Sequence, residues 1–384
     1  MRMFLTNRDM VELQAFRHDL HRHPEVSGEE RETARRVAEA LRPLASSKLL
    51  TELGGHGVAA VFESKEPGPT LLFRAELDAL PIEEKSQADH RSTVAGKGHL
   101  CGHDGHSTIL LALATGLSRQ PVARGRVVLL WQPAEEDGSG AAAVLKDPRF
   151  AELRPDFAYS LHNMPGLAFG TVALKSGPVN CASRGMKIRL SGKTAHASQP
   201  ETGLSPMAAM SRLMPALTAL SNGAPPATDF TLATVTHASL GEQAFGIAPG
   251  DAEIWVTLRT LIDDRMAELC EKAEQLVVEA AGETGLKHAI SYHDIFFHCE
   301  NAPEAVAHLE EALTSEGVRF DEGTLPMRAS EDFGRLRAIC PSAMFFLGAG
   351  EKHPALHNPD YDYPDDLTAI GARIFMAVIR KALG

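Results

Sequence analysis

The 384-residue sequence contains no run approaching the roughly 20 consecutive apolar residues that cross a bilayer, so no membrane partner is expected. Its opening, "MRMFLTNRDMVELQAFRHDL", lacks the apolar core of a secretion signal before charged residues return. Positive charge is also short. With 38 basic against 50 acidic residues the formal charge is −12, and no basic stripe is present to neutralise phosphates. A nucleic-acid partner is therefore not expected. Cysteine is scarce, odd in number and scattered over Cys101, Cys181, Cys270, Cys299 and Cys340. That pattern argues against a disulfide framework and for reduced thiols in the cytoplasm. Internal repeats and low-complexity tracts are absent as well.

What remains is a chain long enough for two domains, with 44% hydrophobic residues to fill their cores. A helical pattern runs from Asp9 to Leu44, broken at "HRHPEVSGEE". Short apolar runs follow, each ending abruptly in polar residues. "TLLFRAELD" ends at Glu76 and Asp78, "RVVLLWQPAEE" at Glu135 and Glu136, and "FAYSLHN" in His162 and Asn163. "SAMFFLGAG" is followed by His353 and His357. Helical patterns at Thr108–Leu117 and Gly140–Leu145 alternate with these runs. Continuous apolar runs suit parallel strands covered on both faces, so the pattern predicts an open, mostly parallel α/β sheet with helices on both sides.

The middle of the chain alternates differently. Strand patterns in "ASRGMKIRLSG", "FTLATVTHASLG", "GDAEIWVTLRT" and "LKHAISYHDIFFH" are separated by two helices, the second stopping at Gly282. The order β-α-β-β-α-β predicts an inserted ferredoxin-like α+β domain. The expected boundaries are 1–182 for the first part of the larger domain, 183–300 for the insert and 301–384 for the second part.

The densest chemistry lies in "GHLCGHDGHSTILLALATG", where His99, Cys101, His103, Asp104 and His106 precede an apolar helix. Each of these side chains can bind a metal, and the spacing alone does not separate a metal site from coincidence. The other polar run-ends decide the matter. In an open α/β sheet ligands bind beyond the carboxyl ends of the strands, and Glu76, Asp78, Glu135, Glu136, His162 and His357 all fall at such ends. One thiol, several imidazoles and a carboxylate suit zinc, manganese, cobalt or nickel better than magnesium or calcium. Cys101, His103, Glu136, His162 and His357 make five ligands, which two divalent ions would share more naturally than one. The second carboxylate of "QPAEE" would then be free to move a proton. His99 and His106 are read as packing or capping at the helix entrance, and His353 as a loop residue. His18, His21 and His23 are read as surface or supporting residues, and Trp131 and Phe333 as core.

At these residues the chain resembles the co-catalytic metallopeptidases related to aminoacylases and carboxypeptidases. Within them it is most similar to the branch of hippurate hydrolases, N-acyl-amino-acid amidohydrolases and auxin-conjugate amidohydrolases. "FRHDLHRHPEVSGEERETA", "RAELDALPIEE", "GHLCGHDGH", "WQPAEE", "LHNMPG", "SGKTAHASQP", "SEDFG" and "LHNPDYDYPDD" follow in that family's order. The resemblance implies the same five metal ligands, with Glu135 as general base and Asp78 as the aspartate orienting a ligand. It implies that the insert is a lid or dimerisation domain, that the protein is a homodimer, and that His196 reaches a partner's active site. Arg259 in "VTLRT" is a candidate clamp for a substrate carboxylate.

The implied reaction is hydrolysis of an N-acyl amino acid, with a dipeptidase or carboxypeptidase as the nearest alternative. A cysteine hydrolase using Cys101 and His103, and a metal-binding protein without activity, are the readings from other classes. Three departures from the branch stand out. Glu76 replaces an aspartate and is expected beside the metals, the usual methionine before His99 is missing, and Gly246 replaces an asparagine.

Overall fold

The apolar runs become neighbouring strands in the computed structural model, which describes residues 4–384. The first three residues of the expected catalytic domain lie outside the described residues. The chain divides into two compact units. One comprises Met1–Val179, Glu300–Leu325 and Asp332–Gly384, and the other Asn180–Cys299 and Pro326–Glu331. The short segment Pro326–Glu331, which sequence pattern assigns to the catalytic domain, clusters with the insert.

In the first unit the strands are β1 (Lys48–Leu53), β2 (Gly57–Glu63), β3 (Thr70–Glu76), β4 (Arg126–Gln132), β5 (Phe157–Pro165) and β6 (Val172–Ala173). The chain leaves through β7 (Gly177–Asn180) and returns through β14 (Cys299–Asn301), before β15 (Phe320–Asp321) and β16 (Ser342–Gly350). The sheet order is β1-β2-β4-β3-β5-β16-β6-β15. Its centre, β4-β3-β5-β16, is parallel throughout, whereas β1 and β2 add on antiparallel. Every residue of β3 is buried, as a strand covered on both faces requires. Register then aligns the polar ends, pairing Glu76 with Gln132 across β3 and β4 and Phe346 with His162 across β16 and β5.

The covering helices are α1 (Asn7–Arg22), α2 (Arg31–Leu41), α3 (His103–Arg119), α4 (Gly140–Lys146), α7 (Pro303–Glu316) and α8 (Leu367–Leu383). Helix α3 is buried on nearly all sides, from His103 to Ala114 without a break, which marks it as central. It begins at His103 rather than at the apolar periodicity near Thr108. Helix α1 is fastened to it by charge. Arg17, 1% exposed, donates to Asp104 Oδ2 at 3.0 Å and to Asp362 Oδ1 at 2.8 Å, and also holds Asp365. His21 is fully buried between Asp104 Oδ2 (2.9 Å) and Glu84 Oε1 (3.2 Å).

The second unit runs β8 (Ala182–Ser191), β9 (Ala195–His196), α5 (Met207–Thr218), β10 (Thr231–Leu240), β11 (Ile247–Ala248), β12 (Asp251–Thr260), α6 (Asp263–Thr284) and β13 (Lys287–Phe296). Its four-stranded sheet is fully antiparallel in the order β10-β12-β8-β13, the ferredoxin-like arrangement. Alternate residues Met186, Ile188 and Leu190 of β8 pack with Ile254, Val256 and Leu258 of β12 in a core shared with Leu213, Leu217, Leu269 and Val277 of the two helices. Helix α6 runs through Gly282, where sequence pattern ends it, and stops at Gly285, whose φ of +72° turns the chain out of the helix. Beside this core, β9 and β11 form a two-stranded ribbon. Among the described residues no helix is long and apolar enough to cross a membrane.

The charge pairing of α1 sets a pH dependence. Burial opposes a charged ring at His21, but Asp104 outweighs it and lifts the group to about 9. A group raised above its unfolded value of about 6.5 stabilises fully below that pH and loses its contribution as pH rises through 9. Urea unfolding between pH 6.5 and 9 should therefore show stability falling by about 2 kcal/mol. His21→Asn should flatten that slope, and an unchanged slope would remove His21 as its cause.

Candidate metal centre

Four structural elements bring the polar run-ends to one place in the first unit. Cys101 precedes α3 and His103 opens it, while Glu135 and Glu136 lie in the loop after β4. His162 lies on β5, and His357 in the loop beyond β16. Ligand atoms of Cys101, His103 and His162 all lie within 4.8 Å of one another, as do those of Cys101, Glu136 and His357 and those of His103, Glu135 and Glu136. Cys101 Sγ is 3.4 Å from His162 Nε2. His103 Nε2 is 3.8 Å from Glu136 and 3.9 Å from Glu135, and His357 Nε2 is 3.8 Å from Glu136.

Local backbone chemistry makes this convergence achievable. Gly102, with φ of +89°, turns the chain into α3, and a Cβ there would lie 2.4 Å from Asn163 Nδ2. The same Asn163 amide donates to Cys101 O at 2.7 Å and its Oδ1 accepts from the Tyr361 hydroxyl at 2.5 Å. Two non-glycine residues at the site hold the left-handed conformation, Ala134 (φ +50°) and His357 (φ +67°). Such positions cost about 1–3 kcal/mol each and persist only where surroundings enforce them. Here Glu30 Oε1 accepts the Ala134 N–H at 2.7 Å, and Leu100 O accepts that of His357 at 2.8 Å.

The imidazoles are aimed by their outer nitrogens. His103 Nδ1 donates to Asp78 O at 2.9 Å and lies 3.3 Å from Asp78 Oδ1, which turns Nε2 toward the carboxylates, where it makes no hydrogen bond. His162 Nδ1 donates to Asn163 O at 2.7 Å, leaving Nε2 beside Cys101. Asp78 also accepts from Ser27 Oγ (2.8 Å) and from the Glu136 N–H (2.9 Å).

Charge at the site is unbalanced toward the negative. Burial disfavours a charged His103, yet Asp78, Glu76 and Glu136 push it up to about 10. Burial and the neighbouring His106 push His162 down to about 3, so it stays a neutral donor. A pocket of carboxylates that draws a proton onto a buried imidazole is suited to a cation, and the thiol, two neutral-capable imidazoles and carboxylates form a donor set for a borderline divalent ion.

Several expectations change. Glu76 does not face the cluster alone; it pairs with Arg74 and with His106 Nδ1 at 2.7 Å. His106 in turn accepts the Asn163 N–H at 3.1 Å, so it is part of the supporting network rather than simple packing. His99 is buried with neither ring nitrogen hydrogen-bonded. His353 donates to Asp362 O at 2.7 Å as a loop residue, and Trp131 and Phe333 are core. Glu30 has no role in the sequence reading, because no local pattern links it to a backbone N–H 104 positions away. His196 and Arg259 belong to the second unit. His196 is exposed on β9 and bonded to Ser198 Oγ at 2.7 Å. Arg259 donates to Arg328 O and Ser330 Oγ, both at 2.9 Å.

A family model for peptidase family M20/M25/M40 matches residues 72–381. The chain belongs to this family. It is thus a hydrolase by class, and its relatives share nearly its full length. It is 31% identical to an N-acetyl-L-cysteine deacetylase of Bacillus subtilis (strain 168), over 97% of this chain and 88% of the relative. It is 30% identical to a hippurate hydrolase of Campylobacter jejuni, over 97% of both chains. In fold it is similar to a Bacillus subtilis protein described as a dinuclear metal-binding peptidase of the M20 family, with a TM-score of 0.81, 24% identity, and 98% of this chain and 99% of that one covered.

The geometry also bears on a thiol mechanism. Burial, then Glu136 and Glu135, push the Cys101 thiol well above its ordinary range, the reverse of an activated nucleophile. In metal-free protein at pH 7.5, iodoacetamide should label Cys101 at least 10-fold more slowly than it labels a free thiol of ordinary pKa, by peptide mass spectrometry. Labelling at the free-thiol rate would reinstate the nucleophile reading.

Proposed function

We propose that this chain is a metal-dependent amidohydrolase that cleaves the amide bond of N-acyl amino acids, hippurate-like compounds among them. The observation that carries this is the convergence of Cys101, His103, Glu136, His162 and His357 on one another, with the carboxylate of Glu135 beside them. The unbonded Nε2 of His103 and the surplus of carboxylates fit a pair of divalent ions held by those five residues. When bound, such a pair polarises a carbonyl and lowers the pKa of water toward about 7. The names of the N-acetyl-L-cysteine deacetylase and hippurate hydrolase relatives support an N-acyl amino acid as substrate. The dinuclear description of the structural neighbour is in keeping with two ions.

The chain's own residues then have distinct tasks. Glu135 takes a proton from water as its oxygen attacks the amide carbon, and returns that proton to the nitrogen as the C–N bond breaks. A carboxylic acid and an amino acid leave. Asp78 holds His103 in the tautomer that presents Nε2 to the site. Arg259 binds the substrate carboxylate. The protein acts as a homodimer through its inserted domain, with His196 of each copy stabilising the oxyanion formed in the other. The exposure of His196 supports its availability for that role. The odd number and wide scatter of the cysteines support a cytoplasmic location.

Two experiments test this reading. Elemental analysis should give up to two divalent ions per chain, with His162→Ala or His357→Ala lowering metal content and turnover together. Glu135→Gln should keep the metal and lose about 10²–10⁴-fold in turnover. Full occupancy in both histidine variants would overturn the ligand set, and near-normal turnover in Glu135→Gln the base.

For the dimer, His196→Ala should cost about 10²–10³-fold in turnover with metals retained. Mixing it with Glu135→Gln should restore activity, because some mixed dimers contain one site with both groups. Absence of rescue after verified subunit exchange would mean that His196 acts within its own chain or not at all.

A further inference from the structure

The segment "SEDFG" has no task in the reaction as described, yet its aspartate is among the most engaged buried groups of the first unit. Asp332 is 0% exposed and opens a 3-10 turn, Asp332–Ala338. Its carboxylate accepts both from the Gln132 side-chain amide, at 2.8 and 2.9 Å, and from the Ala141 N–H, at 2.8 Å. Gln132 is the last residue of β4, and Ala141 is the second of α4. Between them runs the loop that carries Glu135 and Glu136. One carboxylate therefore staples the two ends of that loop. Arg74 Nη2, which donates to the same carboxylate, supplies the countercharge.

The peptide of Asp332 is aimed at the loop as well. Its N–H points to Glu135 Oε1 at 3.4 Å, a long contact that directs the carboxylate more than it binds it. On the other side Glu30 holds the Ala134 N–H in its left-handed turn. The loop also allows no slack at its exit, since a Cβ on Gly140 would lie 1.6 Å from Pro133 O.

From this geometry we infer that Asp332 is a positioning residue for Glu135, setting the place from which that carboxylate reaches water and the leaving nitrogen. The inference rests on the reading of Glu135 as proton acceptor. Asp332 acts by fixing the loop ends and one carboxylate oxygen. Displacement of a reacting group by about 1 Å costs up to about 10²-fold in rate. Asp332→Asn would set an amide NH2 against the Gln132 amide or the Ala141 N–H, and so release one end of the loop.

Asp332→Asn should lower kcat by about 10–100-fold while KM changes less than about 3-fold and metal content is retained. In the metal-free protein, hydrogen exchange over residues 133–141 should quicken by about 10-fold, with the strands around it unchanged. In the Glu135→Gln background the same substitution should cost less than about 2-fold, because a misplaced base that is already absent removes nothing further. A kcat equal to wild type, or a full multiplicative loss in the double variant, overturns the positioning role while leaving Glu135 as base. Near-normal turnover in Glu135→Gln alone overturns the base reading and this inference with it. Should Asp332→Asn not fold, Gln132→Met keeps the Asp332–Arg74 pair and removes one staple; it should show the same non-additivity with Glu135→Gln, and additivity there would count against Asp332.

Discussion

Burying carboxylates at one end of a sheet is the constraint on which the rest of the first unit depends. Glu76, Asp78 and Asp332 are wholly buried and Glu135 nearly so. An isolated buried charge costs several kcal/mol even after relaxation, so each must be answered by a partner. Arg74 answers Glu76 and Asp332, His106 answers Glu76, and His103 answers Asp78. Burial opposes a charge on His103, but Asp78, Glu76 and Glu136 together lift it to about 10. Asp78 Oδ1 and His103 Nε2 remain buried without a hydrogen bond, and that nitrogen lies 3.9 Å from Glu135 and 3.8 Å from Glu136.

The parallel strands make this concentration possible. Side chains at the ends of β3, β4 and β5 stand beside one another because register pairs Glu76 with Gln132 and carries Arg74 opposite Ser160. The acids and imidazoles therefore arrive from chain segments far apart in sequence, while each segment spends its interior on apolar burial. Local devices finish the work. Gly102 lets α3 start with its first residue already in the cluster, and Ala134 turns the loop so that two consecutive glutamates stay near the same histidine.

This separation decides what can be read from sequence. The apolar runs and their polar ends were legible, because a strand buried on both faces is apolar without interruption and ligand sites gather at carboxyl ends. The β-α-β-β-α-β pattern of the insert was legible for a similar reason, since its strands alternate and its helices keep their period. The start of α3 was not, because it depends on Gly102 reversing the chain ahead of polar residues that carry no periodicity. Gly282 resembled a helix stop, yet a single glycine in open surroundings is tolerated, and only Gly285 takes the left-handed turn. The partners of Glu76 are hidden for a different reason. Arg74 and His106 lie two and thirty positions away, and the pairing of one buried carboxylate with both, close to His103, is settled only in three dimensions. Glu30 binds the Ala134 N–H, and Asp332 the Gln132 side chain and the Ala141 N–H, at still longer range, where sequence carries no signal of pairing.

The proposed ligands are not held with equal firmness, and the difference follows from their elements. His103 sits in a helix buried on nearly every side and His162 in a central strand, each with its second nitrogen fixed by a carbonyl. His357 is exposed, with 48% of its side chain open, on a loop whose backbone is left-handed at that residue. It is kept in place by one bond to Leu100 O and, a few residues on, by the hold of Arg17 on Asp362 and Asp365. The same guanidinium binds Asp104, the neighbour of His103. One buried arginine on α1 thus spans the firm side and the open side of the site, so that the loop carrying His357 is referenced to the helix carrying His103 although the two are separated by most of the chain. An N-terminal helix that contributes none of the proposed ligands is in this way part of what gives them their spacing.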